Sequence, residues 1–211
     1  MALLRILQYP DSALKQRARP VENIDGQVAE LIENMAETMY AAPGVGLAAT
    51  QVGIDRRVIV LDLRPEDAEP GKHCLRLINP EIAEREGEIV WEEGCLSVPE
   101  LTAPVRRARR VLVRGWTAEE RQVQIEAEEL LAVALQHEID HLDGTLFLDR
   151  LSRLKRDLYR ARRRKLARQG RQSSSATRPL LIWAPPERLA HRLHGHAAIR
   201  VPHPRGAARS R

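Results

Sequence analysis

In His137-Glu138-Ile139-Asp140-His141 two histidines stand four residues apart, with a glutamate directly after the first. Residues four apart share one face of a helix, so both imidazoles can reach a single metal ion while the glutamate sits at its flank. That is the chemistry of a metal hydrolase, and it needs at least one more protein ligand if a position is to stay open for water. A histidine six residues after His141 would give the metzincin pattern; Gly144 is in place, but the ligand position holds Phe147. A glutamate well downstream would give the thermolysin-like pattern, and between His141 and Glu187 there is none. The strong remaining candidate is Cys95, in Glu93-Gly94-Cys95-Leu96-Ser97. A thiolate is a soft, strongly donating ligand, and Gly94 carries no side chain to hinder the backbone's approach to the ion. Cys95, His137, His141 and a water would complete a tetrahedron that also accommodates Fe(II), at the risk of oxidation.

Several elements must position these residues. Val28, Leu31, Ile32, Met35 and Met39 recur at three- and four-residue steps and predict an amphipathic helix over 26–42, stopped by Pro43-Gly44-Val45-Gly46. Residues 57–63, 73–78, 84–91, 109–116 and 122–127 have the composition of short strands with turn residues between them, which predicts antiparallel sheet. The segment 128–144 opens on Glu128 and Glu129 and stops at Gly144. Leu130, Leu131, Val133, Ala134 and Leu135 make it apolar almost all round, so it is the expected central, buried helix, holding a metal site rigidly. From Asp149 to Gln169, Leu151, Leu154, Leu158 and Leu166 alternate with many arginines and lysines in a basic helix. The expected class is therefore α+β: antiparallel sheets packed around a central metal-binding helix, with an N-terminal helix and a basic C-terminal one.

A chain of 211 residues is long enough for one domain plus an appendage, and with 43% hydrophobic but 3% aromatic residues its core must be aliphatic. Residues 1–148 carry 16 Lys+Arg against 26 Asp+Glu, whereas 149–169 carry 10 against 2. An acidic body with a basic C-terminal segment assigns any nucleic-acid contact to that end. No apolar run approaches the ~18 residues that span a bilayer, and Arg5, Pro10 and Asp11 interrupt any signal peptide, so a soluble intracellular protein is expected. Cys74 and Cys95 are too few for a disulfide scaffold; Cys74 reads as a strand cysteine without a role. Beyond Gly170 the composition shifts to Arg, Pro, His, Ala and Ser, and 170–211 is expected to be a disordered extension, the product of a frameshift or read-through.

Three segments, Gly44-Val45-Gly46-Leu47-Ala48-Ala49-Thr50-Gln51, Glu93-Gly94-Cys95-Leu96-Ser97 and Gln136-His137-Glu138-Ile139-Asp140-His141, in this order and at these separations resemble the three signature motifs of bacterial peptide deformylases. The resemblance runs from about Leu4 to Gln169 and implies one catalytic domain over 1–169, including the basic helix 149–169. It implies removal of the formyl group from N-formylmethionyl nascent chains in the bacterial cytoplasm by a monomer. Cys95, His137 and His141 would bind one ion, Fe(II) by family habit, with Zn(II) or another divalent ion able to replace it. Glu138 would pass a proton from the attacking water to the leaving amine. The Gln51 amide and the Leu96 backbone N–H would stabilise the oxyanion, and Gly46 would bind the substrate backbone. Val45, Trp91, Leu130, Val133 and Ala134 hold the positions of a methionine pocket, Trp91 being larger than the aliphatic residue expected there. The basic helix would guide the enzyme to ribosomal RNA near the exit tunnel. Two other readings share these residues: a zinc peptidase cleaving internal peptide bonds, and a catalytically silent relative that only binds ribosomes or peptides.

Overall fold

The computed structural model describes residues 2–42, 44–63, 73–170 and 198–200. In chain order they form α1 (Gly26–Ala41), β1 (Gly46–Ala48), β2 (Val58–Leu61), β3 (Leu75–Glu86), β4 (Ile89–Glu93), β5 (Ala103–Arg107), β6 (Arg110–Trp116), β7 (Gln122–Glu128), α2 (Glu129–Leu142), α3 (Arg153–Gly170) and β8 (Ala198–Arg200), with short 3-10 turns at Ser12–Lys15, Ala49–Val52 and Phe147–Arg150. One antiparallel sheet runs β1-β2-β3-β6-β7-β8, and β4 pairs with β5 in a second. The fold is α+β, with α2 packed against the large sheet through Ala132, Leu135, Ile139 and Leu142.

α1 starts where Asp25 accepts hydrogen bonds from the N–H groups of Gln27 and Val28, both at 3.0 Å, satisfying two donors that the first helical turn leaves open. Its apolar stripe of Val28, Ile32, Met35 and Met39 packs on Leu47, Val58 and Val60, fixing β1 and β2 from outside. Each fully buried side chain of this kind contributes about 1.5–3 kcal/mol. β7 turns into α2 without a connecting loop: Glu129 takes φ 52, and its N–H donates to the Arg109 carbonyl at 2.9 Å. At the other end of α2, Gly144 has φ +70, and a Cβ there would lie 2.8 Å from the Lys15 carbonyl carbon. Glycine meets both demands. From Ala132 to Leu142 every residue of α2 except Asp140 is buried, as a helix apolar nearly all round requires.

Three expectations change in the sheets and the tail, and a fourth in α3. The strands expected at 73–78 and 84–91 are divided differently: β3 continues through Pro80 to Glu86, and the break falls at Gly87, φ +65. Pro80 cannot donate to a ladder, and the register with β6 shifts there, with Asn79 at φ 51 tied to Val21 by two 2.8 Å bonds. Opposite this bulge a Cβ on Gly115 would lie 3.2 Å from the Ile78 carbonyl oxygen. β1 and β5 were not expected at all. The third change concerns the tail. Ala198–Arg200, inside the stretch expected to lack structure, pairs with Gln124–Glu126 of β7 and satisfies backbone groups that a sheet edge leaves open. The rest of 171–211 lies outside the described residues.

α3 begins later than expected, after the turn at Phe147–Arg150. Tyr159, 4% exposed, anchors it: its hydroxyl donates to the Pro99 carbonyl at 3.1 Å and its ring lies 6.0 Å from that of Tyr9. Leu154 and Leu158 point outward, 70% and 63% exposed. No helix of the described residues is long and apolar enough to cross a membrane.

Candidate active site

His137 and His141, one turn apart on α2, present their rings with centroids 4.9 Å apart. Cys95 reaches them from the tight turn after β4, which the Val98 N–H closes on the Cys95 carbonyl at 3.0 Å. Cys95 Sγ lies 3.2 Å from His141 Nε2, and the two Nε2 atoms are 3.3 Å apart. A tetrahedral site with bonds of about 2.0–2.3 Å has edges of roughly 3.3–3.8 Å; the two separations lie at or just below the short end of that range and all three ligand atoms are within 4.8 Å of one another, so one sulfur and two nitrogens converge on the space of a single ion. All three residues are at most 5% exposed. Among the described residues they form the group able to hold an ion.

Glu93, which ends β4, locks this set from behind. Its Oε2 lies 2.8 Å from His137 Nδ1, and since a carboxylate only accepts, the ring carries its proton there and offers Nε2 as the ligand. Arg107 on β5 grips both Glu93 oxygens, at 2.6 and 2.9 Å, and reaches Asp140 at 2.5 Å; Arg150 binds the same Asp140 at 2.6 Å. Burial alone would raise the Glu93 pKa, but the bonds from Arg107 and His137 outweigh it and push it down to about 2. Without an ion the two imidazoles divide: burial opposes charge on both, yet His137 is raised by its bonds to Cys95 and Glu93, while His141 is lowered by burial and by its charged neighbour. A cation between them would take the place of that proton. The donor set fits a metal.

Glu138 projects from the same turn of α2 toward Gly46 of β1. A Cβ at position 46 would sit 2.7 Å from Glu138 Cδ, so glycine is what lets the carboxylate lie against the strand. Burial, with Glu93 and Asp140 adding to it against His137 and Arg107, raises the Glu138 pKa to about 7. Its Oε2 is buried without a hydrogen-bond partner. A carboxylate poised near neutrality with an open lone pair is suited to moving a proton.

Gln51 comes from the 3-10 turn after β1, tied to α2 by the Thr50 hydroxyl, which donates to the His141 carbonyl at 3.0 Å. Its Nε2 lies 3.6 Å from Cys95 Sγ and 3.1 Å from Ser97 Oγ, and its Oε1 accepts from the Ala48 N–H at 2.8 Å. A cleft of about 370 Å³, counted out to its solvent mouth, is lined by Gly44, Val45, Gly46, Gln51, Gly94, Cys95, Leu96, Ala134, His137 and Glu138. Val45, Gly46, Gln51, Cys95, Leu96, Ala134, His137 and Glu138 are thus brought together, with His141 behind them. Trp91, Leu130 and Val133 do not line this cleft; Trp91 and Val133 are buried, at 5% and 0% exposure, and Leu130 is partly so.

Reading the sequence missed Glu93, Arg107, Asp140 and Ser97 as parts of the site. Glu93 was findable, because a histidine ligand needs an acceptor for its second nitrogen and a carboxylate stands two residues before Cys95. Arg107 carried no signal, since it lies on a strand that was not foreseen.

The geometry defines a class first: a metal-dependent hydrolase of α+β fold, its ion held by one sulfur and two imidazoles. The sequence model of the polypeptide deformylase family matches residues 3–157. The peptide deformylase of Syntrophobacter fumaroxidans is 53% identical over 165 residues, 78% of this chain and 96% of that protein. A crystal structure of a peptide deformylase from Legionella pneumophila superposes with a TM-score of 0.74 at 42% identity, covering 82% of this chain and all of the other. A Met-Ala-Ser-bound class I type b peptide deformylase from Acinetobacter baumannii superposes with a TM-score of 0.67 at 35% identity, over 71% of this chain and 99% of that one. The chain belongs to the polypeptide deformylase family. It is an enzyme that removes the N-formyl group from nascent peptides.

Proposed function

We propose that Cys95, His137 and His141 hold a single Fe(II), replaceable by Zn(II), and that Glu138, Gln51 and Leu96 carry out hydrolysis of the formyl amide. When bound, the ion supplies Lewis-acid chemistry, polarising a carbonyl and acidifying water near neutral pH. Glu138 takes the proton of the attacking water on its unpartnered Oε2 and returns it to the departing amine nitrogen; the C–N bond breaks, leaving formate and a free N-terminus. The Gln51 amide and the Leu96 backbone N–H donate to the carbonyl oxygen as it gains charge, in a buried cleft where such donors act strongly. Gly46 leaves its wall open to an extended peptide backbone, and of the five residues assigned to the methionine pocket Val45 and Ala134 line the cleft and meet the methionine side chain, while Trp91, Leu130 and Val133 do not line it. The family member crystallised with Met-Ala-Ser, a peptide that starts with methionine, supports this choice. The observation that carries the reading is the convergence of Sγ and two Nε2 atoms beside a carboxylate with a pKa near 7.

Anaerobically purified protein given formyl-Met-Ala, with metal analysis of the same sample, tests it. The expected result is one formate and one free amine per turnover, with one ion per chain, predominantly iron. Cleavage of the Met-Ala bond instead would favour the peptidase reading, and absence of turnover with the ion in place would favour the silent one.

The same proposal takes residues 1–169 as one catalytic domain, acting as a monomer in the bacterial cytoplasm, with 170–211 as an extension outside the family's pattern. Mass spectrometry of native protein checks the extension: an intact, abundant chain ending at Arg211 would sink a frameshift origin. α3 is assigned to the ribosome near the exit tunnel, supported by Arg153, Lys155, Arg156, Arg160, Arg162, Arg163, Arg164 and Lys165 beside the outward Leu154 and Leu158. Co-sedimentation with ribosomes should weaken steeply as salt rises; binding that is absent or indifferent to salt would overturn the assignment.

A further inference from the structure

Ser97 is fully buried on the turn that carries Cys95 and Leu96, and its hydroxyl has no part in the chemistry given so far. We propose that Ser97 is a positioning residue: with the end of the Gln51 amide that faces the metal cleft set by the Ala48 N–H, Ser97 occupies one of the two amide N–H bonds so that the other stays aimed at the reacting oxygen. This rests on the oxyanion role of Gln51 given above.

An amide turned half round keeps its shape but exchanges an acceptor for a donor, so in a buried site only its polar partners choose the orientation. Gln51 is 1% exposed, and the Ala48 N–H, which can only donate, makes the choice, while the Ser97 hydroxyl, able to donate or accept, takes the N–H that this choice presents to it. The Ala48 N–H donates to Oε1 at 2.8 Å, and Nε2 donates to Ser97 Oγ at 3.1 Å. The reversed amide would set its NH2 group against the Ala48 N–H and its oxygen against the Cys95 sulfur. In the orientation observed, the second N–H faces Cys95 Sγ across 3.6 Å, a weak contact beside the bond to Ser97. That hydrogen can pass to an oxyanion forming next to the ligands without rotation of the amide, because Ser97 holds the other.

Ser97 is itself held in place. Its carbonyl accepts from the Tyr9 N–H at 2.8 Å, while the Gln51 carbonyl accepts from the Leu7 N–H at 2.7 Å. One N-terminal segment therefore straps the two loops at a fixed separation, and the bond from Gln51 to Ser97 is the tie between them that faces the cleft. A donor held this way has little reorganisation left to do during the reaction.

The test combines Ser97→Ala, Gln51→Ala and the double variant, read by kcat and KM with a formyl-Met peptide, by metal content, and by the side-chain amide NMR signals of Gln51 in the metal-free protein. Ser97→Ala removes one atom, and the backbone amide spectrum reports directly that the fold is intact. Expected for Ser97→Ala are a kcat about tenfold lower, short of the ~10²- to 10³-fold that follows loss of a donor itself, KM within about twofold, unchanged metal content, and displaced, faster-exchanging Gln51 amide signals. In the Gln51→Ala background the same change should leave kcat where it is, and Ser97→Thr, which keeps the hydroxyl, should recover most of the rate. An equal loss in the Gln51→Ala background, or unperturbed Gln51 signals in Ser97→Ala, would overturn the proposal. A Gln51→Ala enzyme with wild-type kcat would instead remove the oxyanion role of Gln51, while the amide signals still report separately whether Ser97 holds it in place.

Discussion

Glu93 and Glu138 are two buried carboxylates that both feel the charge of His137, and the chain shifts them in opposite directions. Glu93 has every oxygen engaged, by Arg107 twice and by His137, and burial loses to those bonds. Glu138 has an oxygen with no partner, and burial wins. Burial therefore does not decide what a carboxylate does; the number of donors it meets does. The saturated one fixes a ligand's tautomer and the unsaturated one exchanges protons.

The most severe way to break this contrast is Glu138→Ala. Turnover should fall by about 10²- to 10⁴-fold while metal content stays at that of the unaltered protein. Equal losses of metal and activity would make Glu138 a second structural carboxylate. Glu93→Gln should do the converse, weakening ion affinity about 10- to 100-fold and leaving much of kcat recoverable when the ion is supplied in excess, as titration under anaerobic conditions would show.

The smallest effect sharpens the contrast through pH, in the metal-free protein. Glu93 is lowered from 4.5 to about 2, so it contributes stability above pH 4.5 that is lost as pH falls toward 2. Glu138 is raised from 4.5 to about 7, so its unfavourable ionisation removes stability as pH rises from 4.5 through 7. Each window spans on the order of 3 kcal/mol. Urea midpoints at pH 3, 4.5 and 7 should show Glu138→Gln flattening the upper window alone and Glu93→Gln the lower one alone. If either variant flattens both, the two groups titrate as one unit.

Much of this contrast was half-visible in the residues. α1 announces itself by period and α2 by its acidic start, its Gly144 stop and an apolar run almost all round, and His137, His141 and Cys95 follow from ligand chemistry, since few residue types can do that work. β5 hid because its inward positions are Ala103, Val105 and Arg107: an arginine facing the core breaks the alternation that identifies a strand, and its burial makes sense only once Glu93 and Asp140 are seen beside it. β1, three residues long, is too short for any period to show. Trp91, Leu130 and Val133 enter by family likeness, and none of them lines the cleft, because which side chains reach it depends on packing that spacing does not encode.

Three of the residues that line the cleft, Gly44, Gly46 and Gly94, bring no side chain to it. A Cβ at 44 would press on Leu96 at 2.8 Å, and one at 46 on Glu138. An inhibitor that grips these glycines through their peptide groups would hold a surface common to all residue types, where added bulk at 44 or 46 falls on the enzyme's own working parts. Escape from such a compound by a single substitution at 44 or 46 would first disturb Leu96 or Glu138.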